Sequence, residues 1–114
     1  MLVNTDTGTP LAAHLETAFD SRSRNRGLLG RTALIDTALV LAPCNAIHTF
    51  FMKFPIDVVF ADRSGRVVRV VKSLPAWRIA MAPRAYATIE LPAGHAERAR
   101  LAPGHRLDLT TAPG

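Results

Sequence analysis

A chain of 114 residues, 48% hydrophobic and 20% charged, has the size and composition of one globular domain and can hold a core without staples. Its single cysteine, Cys44, excludes an intrachain disulfide, and no apolar run of about 18 residues offers a helix that spans a bilayer. The formal charge of +5 rests on 12 arginines and 2 lysines, scattered apart from "RSRNRGLLGR" at 22–31, and reads as solubilising surface charge.

The start of the chain has no basic stretch followed by an apolar one, so no secretory signal is read there and a cytoplasmic location is expected. Residues 1–10 are short polar turn formers and are expected to form a flexible arm, with one β-rich domain over 11–114. In 11–19, Leu11, Ala13, Leu15 and Phe19 alternate with His14 and Glu16, the pattern of a half-buried strand. Residues 21–30 suit a short helix capped by Asp20 or Ser21 and ended by Gly30. Residues 37–43 read as a buried strand stopped by Pro43.

Residues 46–52 and 56–62 are rich in aromatic and β-branched side chains and are expected to be strands. The turn "DRSG" at 62–65 returns the chain into a strand over 66–72, which "SLPAW" breaks. Residues 86–91 alternate again, 93–104 suit a second short helix near 94–101, and 105–110 form a last strand. About seven strands with turn-length links point to a mainly β fold: a single-domain antiparallel β-sandwich or partly closed, jelly-roll-like barrel with two short helices.

Lys53 and Asp57 stand four residues apart in the apolar stretch "AIHTFFMKFPIDVVFADRSGRV" at 46–67. On one straight strand they would lie about 13 Å apart and could not touch. Pro55 disfavours that strand, and a turn at Phe54 and Pro55 would bring them together as a cross-strand ion pair. Phe50, Met52, Phe54, Ile56, Val58 and Phe60 are then expected in the core, with Thr49, Phe51, Lys53 and Asp57 pointing elsewhere.

The phrases "RNRGLLGR", "FFMKFPIDVVFADRSGRV", "YATIELPAG" and "LAPGHRL" occur in the order and spacing of a widespread prokaryotic family, domain of unknown function 192, which the chain resembles from about residue 11 to 110. Met52, Lys53, Pro55, Ile56 and Asp57 match the family's core phrase, with Phe51 in place of its tryptophan and Phe54 in place of a polar residue. Arg31, Glu90, Gly94 and Gly104 match further motif positions, while His105 replaces an aspartate. The resemblance implies a compact, mostly β fold and implies no activity, because fold alone does not supply one.

Charged residues inside apolar motifs point to a ligand site, since burying a charge without a use for it is costly. Lys53, Asp57, Arg78 and Glu90 are therefore the candidate polar contacts, with His48 and Trp77 beside them and Arg31 as a structural anchor. Trp77 can wall a site, and Arg78 can hold a carboxylate or phosphate. The expected function is a non-enzymatic or accessory module that binds a small polar, anionic ligand or a partner segment. Alternatives are a hydrolase using Asp57 with Glu90 or Cys44 with His48, and a weak nucleic-acid binder using Arg22 to Arg31. Cys44, His14, His48, His95 and His105 have no metal-ligand spacing, so neither a metal nor a cofactor is expected.

Overall fold

The turn Asp62–Gly65 sets up a hairpin at one edge of the central sheet. Asp62 Oδ1 accepts the N–H groups of Ser64 (2.9 Å) and Arg66 (3.0 Å) and the Ser64 hydroxyl (2.6 Å), and Gly65 supplies the left-handed φ of 87°. Strands Ile56–Ala61 and Val67–Leu74 leave this turn antiparallel. A computed structural model describes residues 1–19, 31 and 33–109. In chain order its strands are β1 (Leu2–Asn4), β2 (Thr9–Ala12), β3 (His14–Ala18), β4 (Thr37–Leu41), β5 (Ala46–His48), β6 (Ile56–Ala61), β7 (Val67–Leu74), β8 (Ile79–Met81), β9 (Ala87–Pro92) and β10 (Leu107–Leu109), with one short helix, α1 (His95–Arg98).

Five strands form the central sheet in the order β3-β4-β9-β6-β7. β6 is buried at all six positions, because both faces of the sheet are covered. On one face Val59, Ala61, Ile89 and Leu91 pack against Leu2 and Leu11 of a smaller sheet, β10-β1-β2, and against Ala96 of α1. On the other, Ile56, Val58, Phe60, Leu39 and Leu41 pack against Met52, Leu34 and Ala80, which arrive from loops and from the two-stranded ribbon β5-β8. The fold is mainly β, in packed layers, as the alternation patterns predict.

Several expectations are corrected. Residues 1–10 are not a loose arm: β1 and the start of β2 lie there, Leu2 is fully buried, and Asn4 donates to the Ala99 carbonyl at 3.3 Å. The pattern over 11–19 is two strands broken at Ala13, whose N–H turns to Asp36 Oδ1. The sheet is not wholly antiparallel, since β3 runs parallel to β4; the connection between them is long enough for a crossover. Only 46–48 of the expected 46–52 strand is extended. The expected helix over 21–30 lies outside the described residues, and the helix near 94–101 is a single turn.

Candidate functional site

The ribbon β5-β8 carries apolar side chains on both faces. Its inward residues, Ile47 and Ala80, pack on the core. Its outward pairs are His48 with Ile79 and Ala46 with Met81, and all four are exposed. A surface ribbon normally alternates apolar in with polar out, so this apolar outer face is a candidate contact surface.

Two loops extend this face. Phe51 follows β5 and Trp77 precedes β8, and each holds φ at 65°. A bulky residue in the left-handed region costs on the order of 1–3 kcal/mol, and such strain concentrates where side chains are displayed for use. Both rings are more than half exposed, and they meet edge to face with centroids 4.6 Å apart. Phe50 stacks on Trp77 at 5.7 Å and on His48 at 4.9 Å, which completes a continuous row of rings.

Thr49 holds the row in place. It is fully buried, and its backbone N–H donates to the Arg78 carbonyl at 2.8 Å. Its carbonyl accepts the N–H groups of Met52 (3.1 Å) and Trp77 (3.0 Å). Its hydroxyl donates to the Pro75 carbonyl at 2.7 Å and accepts the Arg78 N–H at 2.8 Å. One side chain thus ties both aromatic loops together, and strain at Phe51 and Trp77 persists because the surrounding hydrogen bonds over-determine it.

The charges around this ledge are of one sign. Arg78 lies between Trp77 and Ile79 and is exposed; its guanidinium makes only long contacts, to the Ala76 and Trp77 carbonyls at 3.5 and 3.4 Å. Arg69 donates to the Met81 carbonyl at 2.6 Å, which sets a second guanidinium at the other end. Lys53 is exposed and has no ion-pair partner among the described residues. The stretches 43–56 and 67–89 contain no aspartate and no glutamate.

Asp57 answers a different need. Its carboxylate is fully buried and accepts three backbone N–H groups, from Ser73 (2.8 Å), Gly94 (3.1 Å) and Ala96 (2.8 Å). It pins the bend at Ser73, where φ is 51°, and caps α1 from across the sheet. The expected Lys53–Asp57 ion pair does not form, because Asp57 points into the protein and its oxygens are already occupied.

Glu90 stands on the opposite face of the sheet. Asp57 is registered against Leu91, on the side of Val59, whereas Glu90 is registered against Val58 and Leu39. The two carboxylates therefore do not converge as an acid–base pair. Burial pushes the Glu90 carboxyl up to about 7, with the Arg31 guanidinium pulling partly the other way. Arg31 anchors itself on Glu16, with Nη1 to Oε2 at 3.1 Å and Nη2 to Oε1 at 2.5 Å, and this pairing holds the Glu16 carboxyl below its ordinary value. The Cys44 thiol donates to the Ala46 carbonyl at 3.2 Å, and His48 Nδ1 accepts the Phe50 N–H at 3.2 Å, so neither engages the other. Arg22, Arg24 and Arg26 lie outside the described residues. Among the described residues no three His, Cys, Asp or Glu side chains are grouped to hold a metal ion, and no helix is long and apolar enough to cross a membrane.

Of the expected site residues, then, His48, Trp77 and Arg78 come together on the ledge, with Lys53 two positions past Phe51. Asp57, Glu90 and Arg31 do not join them. Sequence reasoning missed Thr49, Ile79 and Met81; the one signal was the adjacent pair Phe50 and Phe51, which a strand sends to opposite faces, so that one ring must leave the core.

The family model DUF192, described as "Uncharacterized ACR", matches residues 2–109, and the chain belongs to this family. Two solved structures share the fold. One, from Novosphingobium aromaticivorans and of unknown function, is 21% identical with a TM-score of 0.75, over 83% of this chain and 74% of that one. The other, a candidate transcription regulator from Sinorhizobium meliloti, is 22% identical with a TM-score of 0.76, over 82% of this chain and 79% of that one. No curated protein matches the chain.

Proposed function

We propose that this DUF192 protein is a non-enzymatic binding module whose ledge of His48, Phe51, Trp77, Ile79 and Met81 receives an extended segment of a partner protein, apolar in its centre and acidic at its flanks. The observation that carries the reading is the matched pair of exposed aromatics, Phe51 and Trp77, both held at φ 65° by the bonds of Thr49. Packing alone gives no reason to strain two bulky residues and then leave both rings more than half exposed. Aromatic anchors of this kind, ordered before contact, lower the entropy cost of binding.

The charge preference follows from the surroundings. Lys53, Arg69 and Arg78 flank the ledge, and the chain segments that build it carry no exposed carboxylate. Acidic flanks on the partner would be attracted and basic ones repelled. Selection from a random peptide library tests the reading. Peptides should be enriched in Asp and Glu around apolar residues, and the double variant Phe51→Ala, Trp77→Ala should capture none of them. Equal capture by that variant would remove the ledge as the site. Trp77 is the sole tryptophan, so its emission reports each binding event directly.

A further inference from the structure

A second recess lies away from the ledge, between the central sheet and β10. It has a volume of about 520 Å³, within the roughly 300–1,000 Å³ range of small-molecule sites. Its walls are Val40, Ala61, Ala87, Ile89 and Leu107, drawn from both sheets. The space exists because small residues stand where larger ones would fill it: Ala61 and Ala87 are paired across β6 and β9, Ala42 follows β4, and Gly65 closes against Leu107. A Cβ on Gly65 would stand 2.9 Å from the Leu107 carbonyl oxygen, so the rim is fitted tightly there while the interior stays open.

The mouth is polar. It opens onto a cleft of about 530 Å³ that shares Asp62, Arg63, Ser64 and Tyr86 with the recess and adds Arg84. The Arg63 guanidinium lies over the Tyr86 ring, 4.2 Å from its centroid, which orders it while leaving its N–H edges available. Neither Arg63 nor Arg84 has an ion-pair partner among the described residues. Of the two acids at the rim, Asp62 Oδ1 is taken up by three donors of its own turn, and Asp108 has an interaction partner already.

We propose that this recess binds an amphipathic monocarboxylate, with its apolar body between the sheets and its carboxylate at Arg63 and Arg84. The interior offers alkyl surface and the mouth offers unpaired guanidinium groups, so each half of such a ligand meets its complement. This site is separate from the ledge and stands or falls independently of it.

The test is a titration of methyl-labelled protein with butanoate, hexanoate and octanoate, followed by NMR. Shifts should concentrate on the methyls of Val40, Ile89 and Leu107, and each added methylene should tighten binding about fourfold. Arg63→Gln should weaken octanoate about tenfold. Ala87→Leu should fill the recess and abolish binding, with a melting midpoint unchanged or raised, and Trp77→Ala should leave octanoate affinity as it was. Octylamine should bind at least about tenfold more weakly than octanoate. Shifts centred on Ile79 and Met81, equal binding of octylamine, undiminished binding to Ala87→Leu, or no shifts with any probe would overturn the proposal. Should Ala87→Leu fail to fold, the methyl map of the unaltered chain and the Arg63→Gln titration decide it.

Discussion

The Thr49 hydroxyl accepts the backbone N–H of Arg78 at 2.8 Å while donating to the Pro75 carbonyl at 2.7 Å. A side chain with no accessible surface thereby sets the geometry of a surface built almost entirely from exposed ones. Order in the aromatic ledge is therefore decided below it, by a residue that solvent does not reach.

Thr49→Val keeps the shape of the side chain and removes both bonds. It leaves the Arg78 N–H and the Pro75 carbonyl short of a partner, at a cost of roughly 1–3 kcal/mol. Urea unfolding should show that loss, and the fluorescence anisotropy of Trp77 should fall as its loop loosens. Thr49→Ser, which keeps the hydroxyl, should restore the anisotropy. If Thr49→Val left both measurements unchanged, the clamp would be incidental.

Phe51 and Trp77 make a second test, because their φ of 65° reverses the usual order of glycine and alanine. Alanine is normally the more stabilising of the two. In the left-handed region it retains the Cβ clash that glycine lacks. At both positions the glycine variant should be more stable than the alanine variant by about 1 kcal/mol, read as the difference in denaturant midpoints at constant slope. Alanine more stable than glycine would mean that these loops are not strained.

The central sheet was legible from residue patterns: β4, β6, β7 and β9 fall where alternation, β-branched residues and the "DRSG" turn place them. What escaped was pairing that has no local signature. β8 is three residues between Arg78 and Ala82, and it is a strand only because β5, far away in sequence, lies beside it. β1 looked like a loose arm because three residues carry too little pattern, although Leu2 reaches the core between β2 and β10. Asp57 misled for a similar reason. Its partners are backbone N–H groups of Ser73, Gly94 and Ala96, and backbone groups leave no trace in residue identity.

That assignment of Asp57 separates it from Lys53 in experiment. Asp57→Asn turns an acceptor oxygen into a donor facing backbone N–H groups and removes a buried charge-assisted network. It should destabilise the protein by about 2–4 kcal/mol. Lys53→Gln, at an exposed position, should shift stability by less than about 0.5 kcal/mol. Equal losses in the two variants would revive the ion pair that the geometry rejects.

Glu90 gives the chain a pH dependence whose sign can be worked out. In the unfolded chain its carboxyl titrates near its ordinary value of 4.5; in the folded protein burial pushes it up to about 7. Between those two values the folded state holds a proton that the unfolded state has released. Stability therefore falls as pH rises from about 4.5 to about 7, and levels off above that. The difference of about 2.5 units corresponds to a loss on the order of 3 kcal/mol. Glu90→Gln keeps the shape of the side chain and cannot ionise, so it should remove this slope. Measured from pH 4 to pH 8.5, the stability of Glu90→Gln relative to the unaltered chain should grow across that window and then hold. Taking the difference cancels Glu16, Asp36 and Asp62, whose lowered values place their own losses on the acid side. A difference flat across the range would mean that Glu90 is ionised in the folded protein at pH 5, held so by Arg31 in spite of its burial.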